Sequence, residues 1–366
     1  MTFIEFFDKN SAENICACLA QAPQKVILLG GKHKLLKKYS ERYEKIFSDR
    51  GQNIEFVCKS INHNNLQGVV SVLEEIVSEN ENCAIGLTGG DDLFLTAAGI
   101  VFERHKDKNI QLHRYNLRNN VVYDCDGDGN TIQIDHNTHL TVEENIRIYG
   151  GEVIYGDNGT AKWSMTEEFK NDIRDIWDVC RKNVRRWNQG KDAGIARALT
   201  EKGLISKTDN KTIYKSEQVR RCINKAGNSL EMIVYLAATE STDDNGIPVY
   251  NDAMNGVCID WDGSTDEYDT RNEIDVMLMH GLVPIFISCK NGSVSTDELY
   301  KLNTVSQRFG GRYAKKILVA TALETLGESG KYLRSRAKDM NIRIIDNIQD
   351  MSYQQIKEAV KNFWCS

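Results

Sequence analysis

The chain has 366 residues, 41% of them hydrophobic, and a formal net charge of −6 at pH 7. This length is enough for two domains that each bury a core, and the negative charge excludes a uniformly basic nucleic-acid coat. No run of 18 apolar residues occurs, and the first residues, MTFIEFFDKN, lack the basic and long apolar segments of a signal peptide. The composition therefore predicts a cytoplasmic protein that makes no contact with a membrane.

The first 120 residues alternate between predicted strands and predicted helices. The strands are FIEFF, KVILLGG, IEFVCKSI, CAIGLTGG and IQLHRYNL, and segments with helical spacing of apolar residues separate them. This alternation predicts an α/β domain over residues 1–150 with a mainly parallel, doubly wound sheet. Ligands of such sheets bind at the carboxyl ends of the strands, where this sequence has Ser11, Gly31 and Thr88-Gly89-Gly90.

The glycines of these loops allow a backbone to approach phosphate closely. Neither GxGxxG nor GxxxxGKS/T is present, which disfavours a conventional dinucleotide or NTP site. A glycine turn after a strand also occurs for geometric reasons alone. The loops are therefore candidate ligand contacts, with a purely structural turn as the alternative.

Two patterns that resemble metal sites have structural interpretations. Asp124, Asp126 and Asp128, with Asp135 at the twelfth position, imitate an EF-hand loop, but the flanking segments alternate like strands and the twelfth residue is not Glu. A hairpin turn is the interpretation we favour over calcium binding. The ten cysteines include no CxxC pair, which predicts buried free thiols in place of disulfides or a zinc site.

A basic connector is predicted over residues 151–225. Residues 178–225 carry thirteen Lys or Arg against five acids. Such a window could steer phosphates toward a neighbouring site. The alternative is a solvated helical surface without a partner.

The segment NEIDVMLMHGLVPIFISCKNG, residues 272–292, predicts a β-hairpin that carries a reactive site. Ser288 and Lys290 share one strand face and would lie beside Asp275 across the hairpin. A Lys that closes so apolar a run is rarely buried without a partner. A carboxylate and a lysine at this spacing form the core of the metal-dependent PD-(D/E)xK nucleases, where the lysine orients or deprotonates the attacking water. The alternative is a lysine at a strand end with its amine in solvent.

Further groups complete the predicted site over residues 226–366. Glu231 lies in the first turn of a predicted helix, GNSLEMIVYLAAT, which starts at Asn228-Ser229. It would join Asp275 as a metal ligand, together with the carbonyl of Cys289. Ser288 stands where the motif usually has an acid, which should weaken metal affinity and favour Mn²⁺ over Mg²⁺. Glu273 could compensate from the same strand face as Asp275.

The whole chain resembles a known arrangement. Ser11 after the first strand, TGGDD after the fourth, and the later NEID, FISCKNG and RFGG segments are similar to CRISPR-associated Rossmann fold (CARF) sensors fused to a PD-(D/E)xK domain. These are ancillary nucleases of type III CRISPR systems. Ser288 departs from the general endonuclease motif, although an SCK form is familiar in this branch.

The resemblance implies a homodimer that binds one cyclic tetra-adenylate across its twofold axis. Carried onto this sequence, Ser11, Gly31, Thr88, Gly89 and Gly90 would contact the phosphates and riboses, and ligand binding would activate Mn²⁺- or Mg²⁺-dependent cleavage of DNA, single-stranded RNA or both. Two alternatives stay open. One is a constitutive nuclease, and the other is a ligand-responsive regulator with a degenerate nuclease domain.

Overall fold

The structure is a computed structural model, and it divides the chain into two units. The described residues are 1–62, 64–125, 128–134, 136, 138–156, 159–182, 193–208, 211–224, 226–263, 271–292, 294–321, 323 and 327–365. The first unit contains Met1–Gly150 with the short segments Gly281–Val283 and Gly311–Tyr313. The second contains Gly151–His280, Pro284–Gly310 and Ala314–Ser366. The division into domains 1–150, 151–225 and 226–366 stays a prediction.

The first unit is built on a seven-stranded sheet with the order β3-β2-β1-β4-β5-β6-β7. Its strands are β1 (Thr2–Phe6), β2 (Lys25–Gly30), β3 (Glu55–Ser60), β4 (Cys83–Gly86), β5 (Gln111–Asn116), β6 (Val121–Cys125) and β7 (Thr131–Ile134). Strands β1 to β5 pair in parallel, whereas β6 pairs antiparallel with β5 and β7. The predicted parallel sheet is confirmed, with an antiparallel hairpin added at one edge.

Helices of the first unit cover this sheet. They are α1 (Cys16–Gln21), α2 (His33–Asp49), α3 (Leu66–Glu79), α4 (Asp92–Arg104) and α5 (Val142–Ile148). Their ends follow local chemistry: the Asp91 side chain caps α4 by accepting from the backbone N of Phe94 at 3.1 Å, and Thr141 with Glu144 forms a capping box on α5. Apolar residues of α3 and α4 pack on Ile4 and Phe6 of β1 in one buried cluster.

The second unit is built on a six-stranded sheet with the order β15-β14-β13-β12-β11-β8. Its strands are β8 (Glu152–Val153), β11 (Asp252–Asp260), β12 (Arg271–His280), β13 (Val283–Lys290), β14 (Lys315–Ala320) and β15 (Arg343–Ile345), while β9 (Ile205–Thr208) and β10 (Lys211–Tyr214) form a separate two-stranded sheet. β14 is parallel to β13 and β15, and β11 is antiparallel to β8 and β12. The turn between β12 and β13 contains Gly281 at φ +60°, which glycine adopts without strain.

Helices lie against both faces of this second sheet, which explains the continuous apolar run in β13. They are α6 (Glu167–Lys182), α7 (Ala193–Glu201), α8 (Glu217–Asn224), α9 (Ala226–Thr239), α10 (Thr296–Gly310), α11 (Glu328–Asp339) and α12 (Tyr353–Lys361). Ile285, Ile287 and Cys289 of β13 belong to the buried cluster that α6 and α9 share. Helix α9 begins at Ala226, before the predicted start at Asn228, so Glu231 lies in its second turn.

The structure also bears on the predictions for the cysteines, for the Asp124 hairpin and for membrane-spanning segments. The described cysteines, from Cys16 to Cys289, are free thiols; six of these nine are buried, as predicted, whereas Cys58, Cys125 and Cys258 are half-buried. The antiparallel pairing of β6 with β7 agrees with the predicted hairpin, although Asp126 and Asp135 lie outside the described residues. Across the part of the chain that is described, no helix has both the length and the apolar character needed to cross a membrane.

Candidate active site

Asp275 lies in the middle of β12 and is fixed by three donors. Its Oδ2 accepts hydrogen bonds from the backbone N of Cys289 at 2.6 Å, from Ser288 Oγ at 3.2 Å and from Lys290 Nζ at 3.3 Å. The Asp275 side chain keeps 15% of its surface exposed. Hydrogen bonds to a charged acceptor are strong, so this carboxylate has one defined orientation and one exposed edge.

Lys290, at the end of β13, lies between two carboxylates. Its Nζ is 3.3 Å from Asp275 Oδ2 and 3.2 Å from Glu298 Oε2 at the start of α10. Burial lowers the pKa of Lys290, but the charges of Asp275 and Glu298 outweigh burial and raise it above the usual value. Lys301 Nζ approaches the other oxygen of Glu298, Oε1, at 3.2 Å. The lysine is therefore a positioned cation and not an amine reaching into solvent.

A cavity of about 330 Å³ opens beside these groups in the second unit. It is lined by Arg271, Asn272, Glu273, Ile274, Asp275, Ile287, Ser288, Lys290, Glu298, Lys301, Leu302 and Val305. Three lining residues are basic and three are acidic, so the charges of the protein side balance. A bound divalent cation would make the cavity positive and would attract phosphate.

Glu231 and Cys289 are not among the residues that line this cavity. The Cys289 side chain is 3% exposed and belongs to the cluster that packs on α9. Burial raises the pKa of its thiol, and the charges of Asp275 and Glu231 raise it further. Glu231 is thus close to Cys289, but it is absent from the residues that line the cavity. The metal-binding roles of Glu231 and of the Cys289 carbonyl stay predictions.

Glu298 is the group that sequence reasoning missed. It belongs to the DELYKL segment, where acids at positions 297 and 298 are also expected simply as favourable residues in the first turn of a helix. The sequence signal for Glu298 was its place in the helix that follows the strand ending in Lys290. A short connection between a strand and the next helix puts the first turn of that helix near the end of the strand.

The candidate site offers two carboxylates to a divalent ion, those of Asp275 and Glu298. Within the described residues, no group of three or more His, Cys, Asp or Glu side chains is arranged to hold a metal. Asp275 and Glu298, however, each have an oxygen within 3.3 Å of Lys290 Nζ, so two carboxylates lie close together at the wall of the cavity. Mg²⁺ is commonly held by one or two carboxylates, with waters and substrate phosphate completing its shell. The residues present fit such an ion.

The predicted ligand loops of the first unit lie at the carboxyl ends of its strands. Ser11 is fully buried, whereas Gly31 is exposed and Thr88 is half-buried. Thr88 Oγ1 accepts from the backbone N of Tyr115 at 2.8 Å and so connects the end of β4 to β5. Contact of Ser11 with a ligand would therefore need the covering residues to move, while Gly31 is accessible as it stands.

Gly89 and Gly90 pack tightly against the end of β1. A Cβ on Gly89 would lie 2.9 Å from the carbonyl of Phe6, and a Cβ on Gly90, at φ +89°, would lie 2.6 Å from the Phe6 side chain. Both positions therefore require glycine for packing, which agrees with the alternative that this loop is a structural turn. Next to them Glu5 is fully buried, and its carboxyl oxygens meet no hydrogen-bond partner among the described residues.

The basic window is largely neutralised where it is described. Ion pairs join Arg181 to Asp178, Arg197 to Glu201, Lys202 to Asp175, Lys215 to Asp172 and Glu168, and both Arg220 and Arg221 to Glu217. Arg185, Arg186, Lys191 and Lys225 lie outside the described residues. Exposed pairs of this kind reduce the local potential, so the described part of the window fits a solvated helical surface better than a phosphate track.

The sequence of the second unit is similar to one known protein family. Residues 216–365 match the family described as Card1-like, endonuclease domain. This part of the chain is therefore similar to Card1-like endonuclease domains. The match contains Asp275, Ser288, Lys290 and Glu298, and thus the whole candidate active site. No curated protein matches the chain.

Solved structures share the fold of the whole chain. Protein VC1899 from Vibrio cholerae has a TM-score of 0.78 at 16% identity, with 100% of this chain and 98% of that chain covered. Can2 from Sulfobacillus thermosulfidooxidans, in complex with cyclic tetra-adenylate, has a TM-score of 0.69 at 17% identity and covers 98% and 97%. A type III CRISPR defence DNA nuclease activated by cyclic oligoadenylate has a TM-score of 0.54 at 15% identity, with 88% of this chain and 45% of that chain covered. The predicted fold, an N-terminal Rossmann-like α/β domain followed by a second α/β domain, is therefore confirmed.

Proposed function

We propose that this protein is a metal-dependent endonuclease that cyclic oligoadenylate, with cyclic tetra-adenylate as the expected form, activates in type III CRISPR defence. One observation carries the proposal. In a Card1-like endonuclease domain, Lys290 lies between the carboxylates of Asp275 and Glu298 at the wall of an open cavity. This is the arrangement of carboxylate and lysine that phosphodiester hydrolysis uses.

The residues have separate tasks in this reaction. Ser288 and the backbone N of Cys289 hold the Asp275 carboxylate in place. Lys290 donates a hydrogen bond to the attacking water or to a phosphate oxygen. Arg271 and Lys301 bring positive charge to the same cavity. When bound by Asp275 and Glu298, with Glu231 as a further candidate ligand, Mn²⁺ or Mg²⁺ supplies the charge that activates water and stabilises the leaving oxygen.

The sensing role rests on the loops of the first unit and on one structural relative. In parallel α/β sheets ligands bind outside the carboxyl ends of the strands, and Gly31 and Thr88 lie there with accessible surface. Can2, which has this fold, was solved with cyclic tetra-adenylate bound. A ligand with repeated units can satisfy two identical patches, so we propose that two copies of this chain form a C2 dimer around one ring.

The nuclease part of the proposal is tested by cleavage of supercoiled plasmid and of single-stranded RNA with Mn²⁺ or Mg²⁺. The purified chain with cyclic tetra-adenylate should nick or cut at least one of these substrates, and chelation of the metal should stop the reaction. Asp275→Asn should remove the activity while dimer mass and ligand binding persist. Cleavage that survives both chelation and Asp275→Asn would contradict the assignment of this site.

A further inference from the structure

A second cavity of the nuclease unit has a different character from the candidate active site. It measures about 400 Å³ and is lined by Lys315, Lys316, Arg334, Lys338, Asn341, Ile342, Arg343 and Ile344. These residues come from the start of β14, from α11 and from the segment that enters β15. Five of the eight are basic, and none of the described residues lining this cavity is acidic. A concave surface with charges of one sign concentrates anions.

Lys316, one of the cations of this cavity, is held by neutral groups. Lys316 Nζ donates to Asn303 Oδ1 at 2.9 Å and to the carbonyl of Met340, both neutral acceptors, and Arg343 Nη1 donates to the carbonyl of Asn362 at 2.9 Å. Burial lowers the pKa of Lys316, as expected for a cation held by neutral groups.

The charges of α11 are compensated only in part. Arg334 is ion-paired with Asp346 at 2.6 Å, whereas the side chain of Lys338 has no ion pair or hydrogen bond among the described residues. Several dehydrated or uncompensated cations around a cavity destabilise one another, and a polyanion would relieve this repulsion.

The position of the basic cavity relates it to the active site. In the parallel pairing of β13 with β14, Ile285 is opposite Lys315 and Lys290 is opposite Ala320. The cavity therefore begins five residues before the level of Lys290 on the same pair of strands, about 16 Å at the rise of a β-strand. Helix α10 borders both places, since Glu298 contacts Lys290 and Asn303 holds Lys316.

We propose that this basic cavity binds the phosphodiester backbone of the nucleic-acid substrate away from the bond that is cut. The inference rests on the proposed nuclease function and adds a second anchoring point to it. A strand with one phosphate at Lys290 would place further phosphates across α10 and into the cavity. Such contacts supply affinity and position without reading sequence.

The test uses two lysines that line the cavity, Lys315 and Lys338. Lys315→Gln with Lys338→Gln is compared with Lys331→Gln with Lys361→Gln, which removes the same charge from surface lysines outside the cavity that are ion-paired with Glu328 and Asp244. All measurements are made on the full chain with Lys290→Met added, so that a labelled oligonucleotide is bound but not cut. Binding is measured between about 50 mM and 200 mM salt.

The proposal predicts that the cavity variant lowers the slope of log affinity against log salt by about 1.4 for single strands or about 1.8 for duplex, since each phosphate contact contributes about 0.7 or 0.9. The control pair should keep the original slope. Lys338→Arg alone should also retain it, which separates charge from damage to the fold. Equal slopes in the cavity and control variants would overturn the proposal.

Small phosphate ligands give the competing outcome. If adenosine monophosphate or pyrophosphate binds the parent chain and loses affinity in the cavity variant while the oligonucleotide slope is unchanged, the cavity is a small-molecule site and the proposal is wrong. Failure of the nuclease assignment can be distinguished from failure of this proposal. The former would appear as no cleavage by the chain that keeps Lys290, and the salt slopes of binding could still be measured.

Discussion

At the scale of single residues, the lysine at the end of β13 has the geometry that the proposed chemistry needs. Lys290 and Ser288 meet Asp275 because residues two apart on a strand share a face, and this part of the site could be predicted from the sequence. Glu298 could not, because its contact with Lys290 depends on where helix α10 packs. Spacing within one strand is encoded locally, while the packing of the next helix depends on the whole core.

The role of Lys290 is tested by Lys290→Met, which keeps the aliphatic stem and removes the charge. Cleavage should fall by about a hundredfold or more, the range for loss of a group that donates or accepts a proton or hydrogen bond in the transition state. Lys301→Met removes the same charge from the same cavity at a side chain that is 72% exposed, and its effect should be several-fold at most. Initial rates at saturating metal and activator measure both. Equal losses of cleavage rate in the two variants would mean that Lys290 contributes only positive charge to the cavity, as Lys301 does.

The buried Glu5 gives a prediction about stability and pH. Burial, with the nearby charges of Glu13 and Asp8, raises the pKa of Glu5 well above its ordinary value of 4.5. Because the pKa is raised in the folded state, protonated Glu5 contributes fully to the free energy of unfolding below pH 4.5. This contribution is lost as the pH rises through the folded-state pKa. Glu5→Gln removes this loss, so its melting temperature relative to the parent should increase from pH 4.5 to pH 8.

Thermal unfolding of both proteins across this range measures the effect. Glu55→Gln, at an exposed position of the same sheet, is the control and should show no such trend. If the melting temperatures of the parent and of Glu5→Gln change with pH in parallel, Glu5 is not protonated in the folded chain.

At the scale of helices and strands, the sequence predicted the first five parallel strands and the β12–β13 pair from their apolar patterns. The start of α9 was misplaced because Asn228 and Ser229 are good capping residues, whereas the helix begins at Ala226. Capping preference is a weak local signal that packing overrides. Glu231 lies on this helix near Cys289 and is not among the residues that line the cavity.

Helix α10 contributes to the site through its first turn, and Glu298→Gln tests this contribution. With one carboxylate fewer, the metal concentration for half-maximal cleavage should rise about tenfold, while the rate at saturating metal should fall less. Asp297→Asn alters the neighbouring acid, which is exposed and lies outside the cavity, and should leave the metal requirement unchanged. A Glu298→Gln variant with the metal requirement of the parent would return Glu231 to consideration as the second ligand.

At the scale of the whole molecule, a sensing role for the first unit is tested at Gly31. This residue is exposed and its φ is outside the left-handed region, unlike Gly90, where any side chain would strain the backbone and meet Phe6. Gly31→Glu should repel the phosphates of the activator and raise the activator concentration for half-maximal cleavage by about tenfold or more. The maximal rate should remain, because a ligand shifts an equilibrium only by its differential affinity.

Gly99→Glu is the matched control for this variant. It adds the same charge to the same unit at an exposed helical position with open space around it, and it should behave like the parent. An identical activator requirement in the Gly31→Glu and parent chains would remove Gly31 from the ligand site.

The most direct test of the central claim is the rate of plasmid and single-stranded RNA cleavage with Mn²⁺, measured with and without cyclic tetra-adenylate. Coupling free energies in allosteric proteins are typically about 1 to 3 kcal/mol, which predicts stimulation of about fivefold to about 150-fold. Cyclic oligoadenylates of other ring sizes, in the same assay, establish which ring the chain recognises. Equal cleavage with and without every ring tested would contradict the account and leave a constitutive nuclease.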